Sequence, residues 1–505
     1  MTQSPAIPPP SPSELAEAAR QLHLHLDARE LAGFGALMQS LVEDLNRLDG
    51  WAAPKLPVRY PRGEIVRPAA ADNPCNAWSY QCVISGAPSG PLAGRRVVIK
   101  DNIAVAGVPM LNGSAVFEGC VPDEDATVVS RVLDAGATIL GKGVCENFCF
   151  SGGSHTSATG PVRNPHRAEF MSGGSSSGCA ALLVSGACDL AIGSDQGGSV
   201  RMPASFSGCV GHKPSYGLVP YTGASPIEQS VDHLGPMAMS SADCAQLLEV
   251  IAGDDDGRDP RQRGDLAVKP YASLVDAGIR GLRIGIVREG FGTPGAEADV
   301  DARVREAAFS LRDAGATVSE ISVPRHAEGG AIMITSILDG TLSTFTDLGP
   351  SGPNPKGHSL IEAIRFYHDA QRERADAMPV TVKTVLLCAR VMRNRYGRYY
   401  SAKAQNLVHE LRAAYDAAFA EVDLLVMPTT PMKAHRIPPA DAAPEIVMGS
   451  ALDMLGNTAP FDVTGHPSLS VPAGFSDGLP IGLMITGRYG EDDVVLRAGH
   501  AFEQL

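Results

Sequence analysis

Apolar residues recur at helical spacing near the start of the chain, at Leu15, Ala18 and Leu22 and then at Leu31, Phe34, Leu37, Met38, Leu41 and Leu45. This pattern predicts two amphipathic helices between residue 13 and about residue 48. Residues 1–12 are rich in Pro and Ser and are expected to be disordered, and residues 54–74 read as a linker. Beyond the linker, short apolar runs alternate with helical patterns. Strands are predicted at 97–100, 138–140, 187–192, 282–287, 317–323 and 424–427, with helices between them such as 127–135 and 300–314. Alternation of this kind implies an α/β fold with a central mixed, largely parallel sheet flanked by helices, whose ligands sit beyond strand ends. Between 325 and 415 long helical patterns take over, at 359–378, 380–395 and 402–419, and read as a helical insertion that narrows access to the site. The expected organisation is an N-terminal helical extension and linker (1–74), a main domain in two parts (75–324 and 416–505), and the insertion (325–415).

Composition narrows the function. The chain has 505 residues, 44% of them apolar and 19% charged, which is ordinary for a soluble enzyme with a large core. A formal net charge of -14 argues against a nucleic-acid groove or an anionic membrane surface and favours a small, neutral substrate. Ten cysteines without a Cys-x-x-Cys pair read as reduced thiols of a cytoplasmic protein, with Cys179, Cys188 and Cys209 in core-like contexts. Cys145 and Cys149 share a helical face, but with no second pair of metal-binding spacing they read as two buried small hydrophobes. The first residues carry prolines and no basic stretch, unlike a secretory signal, and no apolar run approaches membrane-spanning length.

The chemistry concentrates in residues 171–201, where two Gly-Ser clusters bracket a small-residue helix and a short buried strand. Gly197 and Gly198 permit positive φ, so successive N–H groups can turn toward one point just before Ser199, a candidate oxyanion hole. A serine hydroxyl needs a base, and this stretch has no histidine. Upstream, an apolar strand ends in Lys100, where desolvation is expected to favour the neutral amine, and Ser175, Ser176 and Ser177 can relay a proton to it. The pattern points to a Ser-Ser-Lys relay.

These residues resemble the amidase signature hydrolases. The matching pieces are 98–102 (Val-Ile-Lys-Asp-Asn), 173–176 (Gly-Gly-Ser-Ser) and 193–201 (Gly-Ser-Asp-Gln-Gly-Gly-Ser-Val-Arg), and Ser175 and Ser199 stand 199 - 175 = 24 positions apart, as in the family. Further likeness lies at 211–220, 232–237 and 457–467, so the resemblance spans roughly 75–505 and is weakest between about 325 and 415. It implies the amidase signature fold and catalytic Lys100, Ser175 and Ser199, with a cis Gly174–Ser175 bond. It also implies an oxyanion hole from the N–H groups of Gln196, Gly197, Gly198 and Ser199, and no metal or organic cofactor. Ser176, Asp195 and Arg201 are expected to support the site, the last two as an ion pair bracing the turn. Ser177 departs from the Gly found in many members. Phe150, Leu455, the 217–223 segment and the added N-terminal helices resemble the aliphatic and aromatic amide amidases found alongside nitrile-converting enzymes. The expected reaction is hydrolysis of an amide to carboxylate and ammonia, by a chain that can form a homodimer. Carbamate or ester hydrolysis with the same triad, and a glutaminase-like subunit of a tRNA amidotransferase, are the alternatives.

Three other features resemble sites. Residues 290–295 match a dinucleotide fingerprint, but Glu297, Asp299 and Asp301 would repel a pyrophosphate there. Arg390, Arg393, Arg395 and Arg398, interleaved with Tyr396, Tyr399 and Tyr400, read as a solvated helix face rather than a nucleic-acid patch. His23 and His25, read on a helix, do not face each other and are expected on the surface.

Overall fold

A computed structural model of the chain describes residues 7–262 and 264–505. Residues 1–6, part of the segment expected to be disordered, lie outside the described residues. The chain separates into two compact units, Met1–Leu56 and Pro57–Leu505.

The first unit holds three helices where the apolar spacing predicted two: Pro12–Gln21, Ala28–Leu37 and Gln39–Asp49. The pattern at 31–45 is divided at Met38, where no side chain caps the third helix, whereas the first two helices begin on capped residues. Ser11 with Glu14, and Asp27 with Glu30, form reciprocal capping boxes that satisfy amides at each helix start, worth about 1 kcal/mol apiece. His23 adopts a left-handed φ of 59° between these helices, so His23 and His25 lie on an exposed connection and not on a helix.

The second unit is built on one sheet of eleven strands: β1 (Trp78–Ser85), β2 (Arg96–Lys100), β3 (Thr138–Gly143), β4 (Leu190–Asp195), β5 (Val210–Lys213), β6 (His233–Ala238), β7 (Arg283–Val287), β8 (Thr317–Ile321), β9 (Leu424–Pro428), β10 (Ser468–Ser476) and β11 (Leu479–Gly487). Their order across the sheet is β1-β3-β2-β4-β6-β5-β10-β11-β9-β7-β8. The α/β class and the mixed sheet are as expected, but the sheet is not largely parallel. The β2–β3, β2–β4, β7–β8 and β7–β9 pairs are parallel, and the other six neighbouring pairs are antiparallel. Every strand visible in the hydrophobic pattern belongs to a parallel pair. The five that were not visible pair only antiparallel, and sequences such as Val-Gly-His-Lys and His-Leu-Gly-Pro-Met-Ala hide them.

Side chains of β2 and β4 such as Val97, Ile99, Leu190 and Ile192 meet Val128, Val132 and Leu248 from the covering helices in one fully buried cluster. Each such side chain contributes about 1.5–3 kcal/mol of transfer free energy. On the other face the helix Ser177–Val184 lies so close to the sheet that a Cβ on Gly178 would stand 2.3 Å from the Ala77 carbonyl and 2.4 Å from the Val144 amide. Only glycine fits that approach.

The helices Gly329–Ser343, Ile361–Arg374, Val380–Tyr396 and Tyr399–Glu421 occupy the region read as an insertion, and all lie within the second unit. They are tied into it by buried contacts: His326 joins the Tyr415 hydroxyl (2.7 Å) to Asn457 (3.0 Å). The helix Ala298–Ser310 after residues 290–295 has its own Glu297 and Asp299 paired with Lys433. Arg393 and Arg398 are held by Asp339. No helix of the described residues is long and apolar enough to cross a membrane.

Candidate active site

β2 ends in Lys100 and β4 runs into residues 196–199, and because the two strands are parallel neighbours in register, Ile99 beside Ile192, both ends open on one spot. Lys100 is fully buried there. Its Nζ donates to Ser175 Oγ at 2.7 Å, to Ser194 Oγ at 2.8 Å and to the Ser194 carbonyl at 3.2 Å. Ser175 arrives on the loop before the helix Ser177–Val184, and the Gly174–Ser175 peptide bond is cis. The Ser176 amide donates to the Ser199 carbonyl at 3.2 Å, and Ser176 Oγ donates to the Ser194 carbonyl at 3.2 Å. Lys100, Ser175, Ser176, Ser194 and Ser199 therefore share one buried cluster. Ser177 donates instead to the Val144 carbonyl at 3.2 Å, so the residue that departs from the family's Gly fixes the helix start to the sheet.

The turn at 196–199 is held from two sides. Gly198 has φ 132°, and a Cβ there would lie 2.3 Å from Thr458 Oγ1, so glycine is required. Thr458 Oγ1 donates to the Gly197 carbonyl at 2.6 Å. Beneath the turn the Asp195 carboxylate accepts from the amides of Gly198 (2.6 Å), Val200 (2.9 Å) and Arg201 (3.3 Å), and from Arg201 Nε (3.1 Å) and Nη2 (3.0 Å). The Gly198 N–H is thereby committed to Asp195. The amides of Gln196, Gly197 and Ser199 make no hydrogen bond to the described residues, so three of the four expected oxyanion donors are free. Arg201 Nη2 also donates to Asp462 at 2.7 Å. Burial works against the charge on Asp195, but Arg201 outweighs it and holds that carboxyl well below the usual range. Burial and the Asp195 charge together push Asp462 well up. Two carboxylates sharing one guanidinium separate in this way because both cannot ionise cheaply out of water. On the other side of the turn, Gln196 Nε2 donates to the Tyr221 hydroxyl at 2.8 Å.

Ser199 opens onto a narrow cleft whose walls include both Phe150 and Leu455. Met333, Ile334 and Ile337, from the helix Gly329–Ser343, line it as well. The cleft is apolar around a few polar groups, which suits an uncharged acyl chain. The insertion read as narrowing access to the site does line the cleft, through a helix that the periodicity did not single out, while sequence reasoning missed the roles of Ser194, Thr458 and Asp462. Only the β2–β4 register could have found Ser194, since it alone brings a serine of β4 to the lysine of β2. Among the described residues no group of side chains could hold a metal ion.

Residues 72–496 match the family profile named Amidase. This chain belongs to the amidase family. An enantioselective amidase of Rhodococcus rhodochrous is 47% identical to it over 439 residues, covering 86% of this chain and 84% of that relative. A glutamyl-tRNA(Gln) amidotransferase subunit of Methanosarcina mazei is 38% identical over 421 residues, 82% and 85% of the two chains. Among solved structures, the peptide amidase of Stenotrophomonas maltophilia aligns with a TM-score of 0.67 at 33% identity, over 82% of this chain and 83% of that one. As a member of the amidase family the chain is a hydrolase of amide C–N bonds. The cluster described above occupies the positions through which the amidase signature was first visible.

Proposed function

We propose that this amidase hydrolyses small, uncharged carboxylic acid amides to carboxylate and ammonia through an acyl-enzyme on Ser199. The observation that carries this reading is the 2.7 Å contact between buried Lys100 Nζ and Ser175 Oγ, beside a serine that opens on an apolar cleft. Ser175 passes its hydroxyl proton to the Lys100 amine and takes the proton of Ser199 Oγ, which attacks the amide carbonyl. The amides of Gln196, Gly197 and Ser199 receive the oxyanion, each worth about 3 kcal/mol in a water-poor site. The proton then returns through Ser175 to the leaving nitrogen. Water, deprotonated along the same path, cleaves the ester and restores Ser199. Phe150 and Leu455 bind the acyl chain, while Ser176, Asp195 and Arg201 keep the two serine loops in place. No step needs a metal or an organic cofactor.

The 38% identity to an amidotransferase component supports a second reading, a glutaminase-like subunit that works with partner chains. A homodimer is the assembly favoured by the first unit, where Leu41, Leu45 and Leu48 form an exposed apolar stripe on one helix. Light scattering tests it. The functional test is ammonia release by the purified chain from aliphatic and aromatic primary amides, beside Ser199→Ala and Lys100→Ala. Ammonia that disappears in both folded variants supports the amidase. Ser199-dependent cleavage of aryl carbamates or esters alone moves the assignment to a urethane or ester hydrolase. Activity that appears only with partner chains moves it to the amidotransferase class, and full activity in Ser199→Ala overturns the mechanism.

A further inference from the structure

One wall of the cleft is carried by the helix Gly329–Ser343, whose backbone is pinned near both ends. A Cβ on Gly329 would stand 2.5 Å from Cγ of Pro460, and one on Gly340 would stand 2.3 Å from Cγ of Glu228. Neither neighbour yields. Pro460 is a ring in a fully buried helix, and the buried Glu228 carboxylate is held by the Ser230 amide at 2.8 Å and by the Ser230 hydroxyl. The two contacts lie 340 - 329 = 11 positions apart, about 16 Å along the helix axis, and bracket Met333, Ile334 and Ile337, which line the cleft. Any adjustment of this wall to a substrate therefore falls to its side chains.

Those three side chains differ in freedom. Ile334 and Ile337 are β-branched and hold one χ1 rotamer on a helix, whereas Met333 is unbranched and turns about three bonds. Met333 is also the one that reaches the reaction centre. A Cβ on Gly197 would lie 2.7 Å from Met333 Cε and 3.2 Å from Leu455 Cδ2, so the Met333 methyl and Leu455 close together on the residue whose amide is a free oxyanion donor. The other methionine of the cleft, Met202, is wedged in place. A Cβ on Gly152 would lie 3.0 Å from its Cε, and one on Gly198 would lie 2.9 Å from its Cγ.

We propose that Met333 is a specificity-determining residue for the acyl group, a movable stop that sets how large a branch the substrate carries on the carbon next to its carbonyl. The substrates that follow are amides of carboxylic acids with small apolar substituents on that carbon. The proposal rests on the reading of Ser199 as nucleophile and of the Gly197 amide as oxyanion donor. A hydrogen bond from that amide fixes the carbonyl oxygen, and the carbon that bears the branch lies two bonds away, beside the side chains that touch Gly197. A small branch leaves the Met333 methyl where it stands. A larger one drives the methyl off Gly197 against Ile334 and Ile337, and one methylene more or less in an apolar pocket changes kcat/KM by about 10- to 200-fold.

The test compares kcat/KM for acetamide, 2-methylpropanamide and 2-ethylbutanamide, an achiral series of growing branch. It uses the full chain as wild type, Met333→Ala and Met333→Leu, each checked for fold by circular dichroism. In Met333→Ala the ratio of 2-ethylbutanamide to acetamide is expected to rise about tenfold over wild type. Met333→Leu keeps the volume of the wall but ends one bond short of the methyl at Gly197, and is expected to raise the ratio about threefold. It decides alone if Met333→Ala does not fold. A ratio within about twofold of wild type in the folded variants, or one common factor across all three amides, would overturn the proposal. The p-nitrophenyl esters of the same acids separate the proposal from the amide reading, with Ser199 acylation followed by intact mass and by release of p-nitrophenolate. Ester ratios that respond to Met333 while no amide is cleaved would remove the amide reading and leave Met333 as the acyl stop. Wild-type Ser199 acylated by none of the amides or esters would overturn both.

Discussion

Replacing Asp195 by Asn tests whether the turn before Ser199 is held by charge. The substitution keeps the shape of the side chain but puts an amide NH₂ where one carboxylate oxygen accepts either from the Gly198 amide at 2.6 Å or from the Val200 amide at 2.9 Å. It also removes one of the two carboxylates around buried Arg201. Breaking a buried pair by removing one partner costs about 3–5 kcal/mol. Asp462 remains at 2.7 Å and can ionise once Asp195 no longer opposes it, so the loss belongs at the lower end, about 3 kcal/mol. An unfolding entropy of about 2.1 cal/mol/K per residue over the roughly 450 residues of the second unit gives about 0.9 kcal/mol/K. The expected fall in Tm is then about 3 °C, with the fold intact. Turnover should fall far more, by about 10²–10³, because the amides of Gly197 and Ser199 are aimed by the same turn, and donors displaced by a few tenths of an ångström no longer meet the oxyanion. The assay is calorimetric Tm together with kcat for an amide the wild type cleaves. A folded variant with kcat within threefold of wild type would refute the claim that Asp195 preorganises the turn.

Thr458→Val removes the hydroxyl that donates to the Gly197 carbonyl at 2.6 Å while keeping the volume that packs against Gly198. The freed carbonyl lets the Gly197–Gly198 peptide tilt, and kcat is expected to drop about tenfold with little change in KM; an equal rise in KM at constant kcat would place Thr458 in substrate binding instead. Lys213 gives a pH signature, because burial holds its ammonium down to about 8 from an ordinary 10.5. Between those values the unfolded chain keeps a proton that the folded chain has released, so raising the pH across that window stabilises the fold by up to about 3 kcal/mol, while below 8 the cost is constant. The Tm of the wild type should gain about 3 °C on that of Lys213→Met between pH 7.5 and 10, and a difference that stays flat with pH would contradict the assignment.

The hydrophobic pattern determined by itself the α/β class and every strand that takes part in a parallel pair. Those strands are short, Val- and Ile-rich and separated by amphipathic helices, so their period is local. β5, β6, β10 and β11 were not legible, because Gly, Pro, Ser and His are tolerated where a strand is clamped by antiparallel neighbours on both sides, and that clamping is a property of the sheet. Lys100, Ser175 and Ser199 stood out in the sequence because Gly-Ser loops at strand and helix ends leave a local mark. Their meeting at one point was not local: it follows from the parallel register of β2 and β4, as does the contact of Ser194 with Lys100. Tertiary structure alone decided that Gly198's amide belongs to Asp195, and that Asp462 and Thr458 reach the turn from more than 250 positions away. Contacts across such separations carry no periodic signature along the chain, because they are set by how helices and sheet close on one another after each has formed.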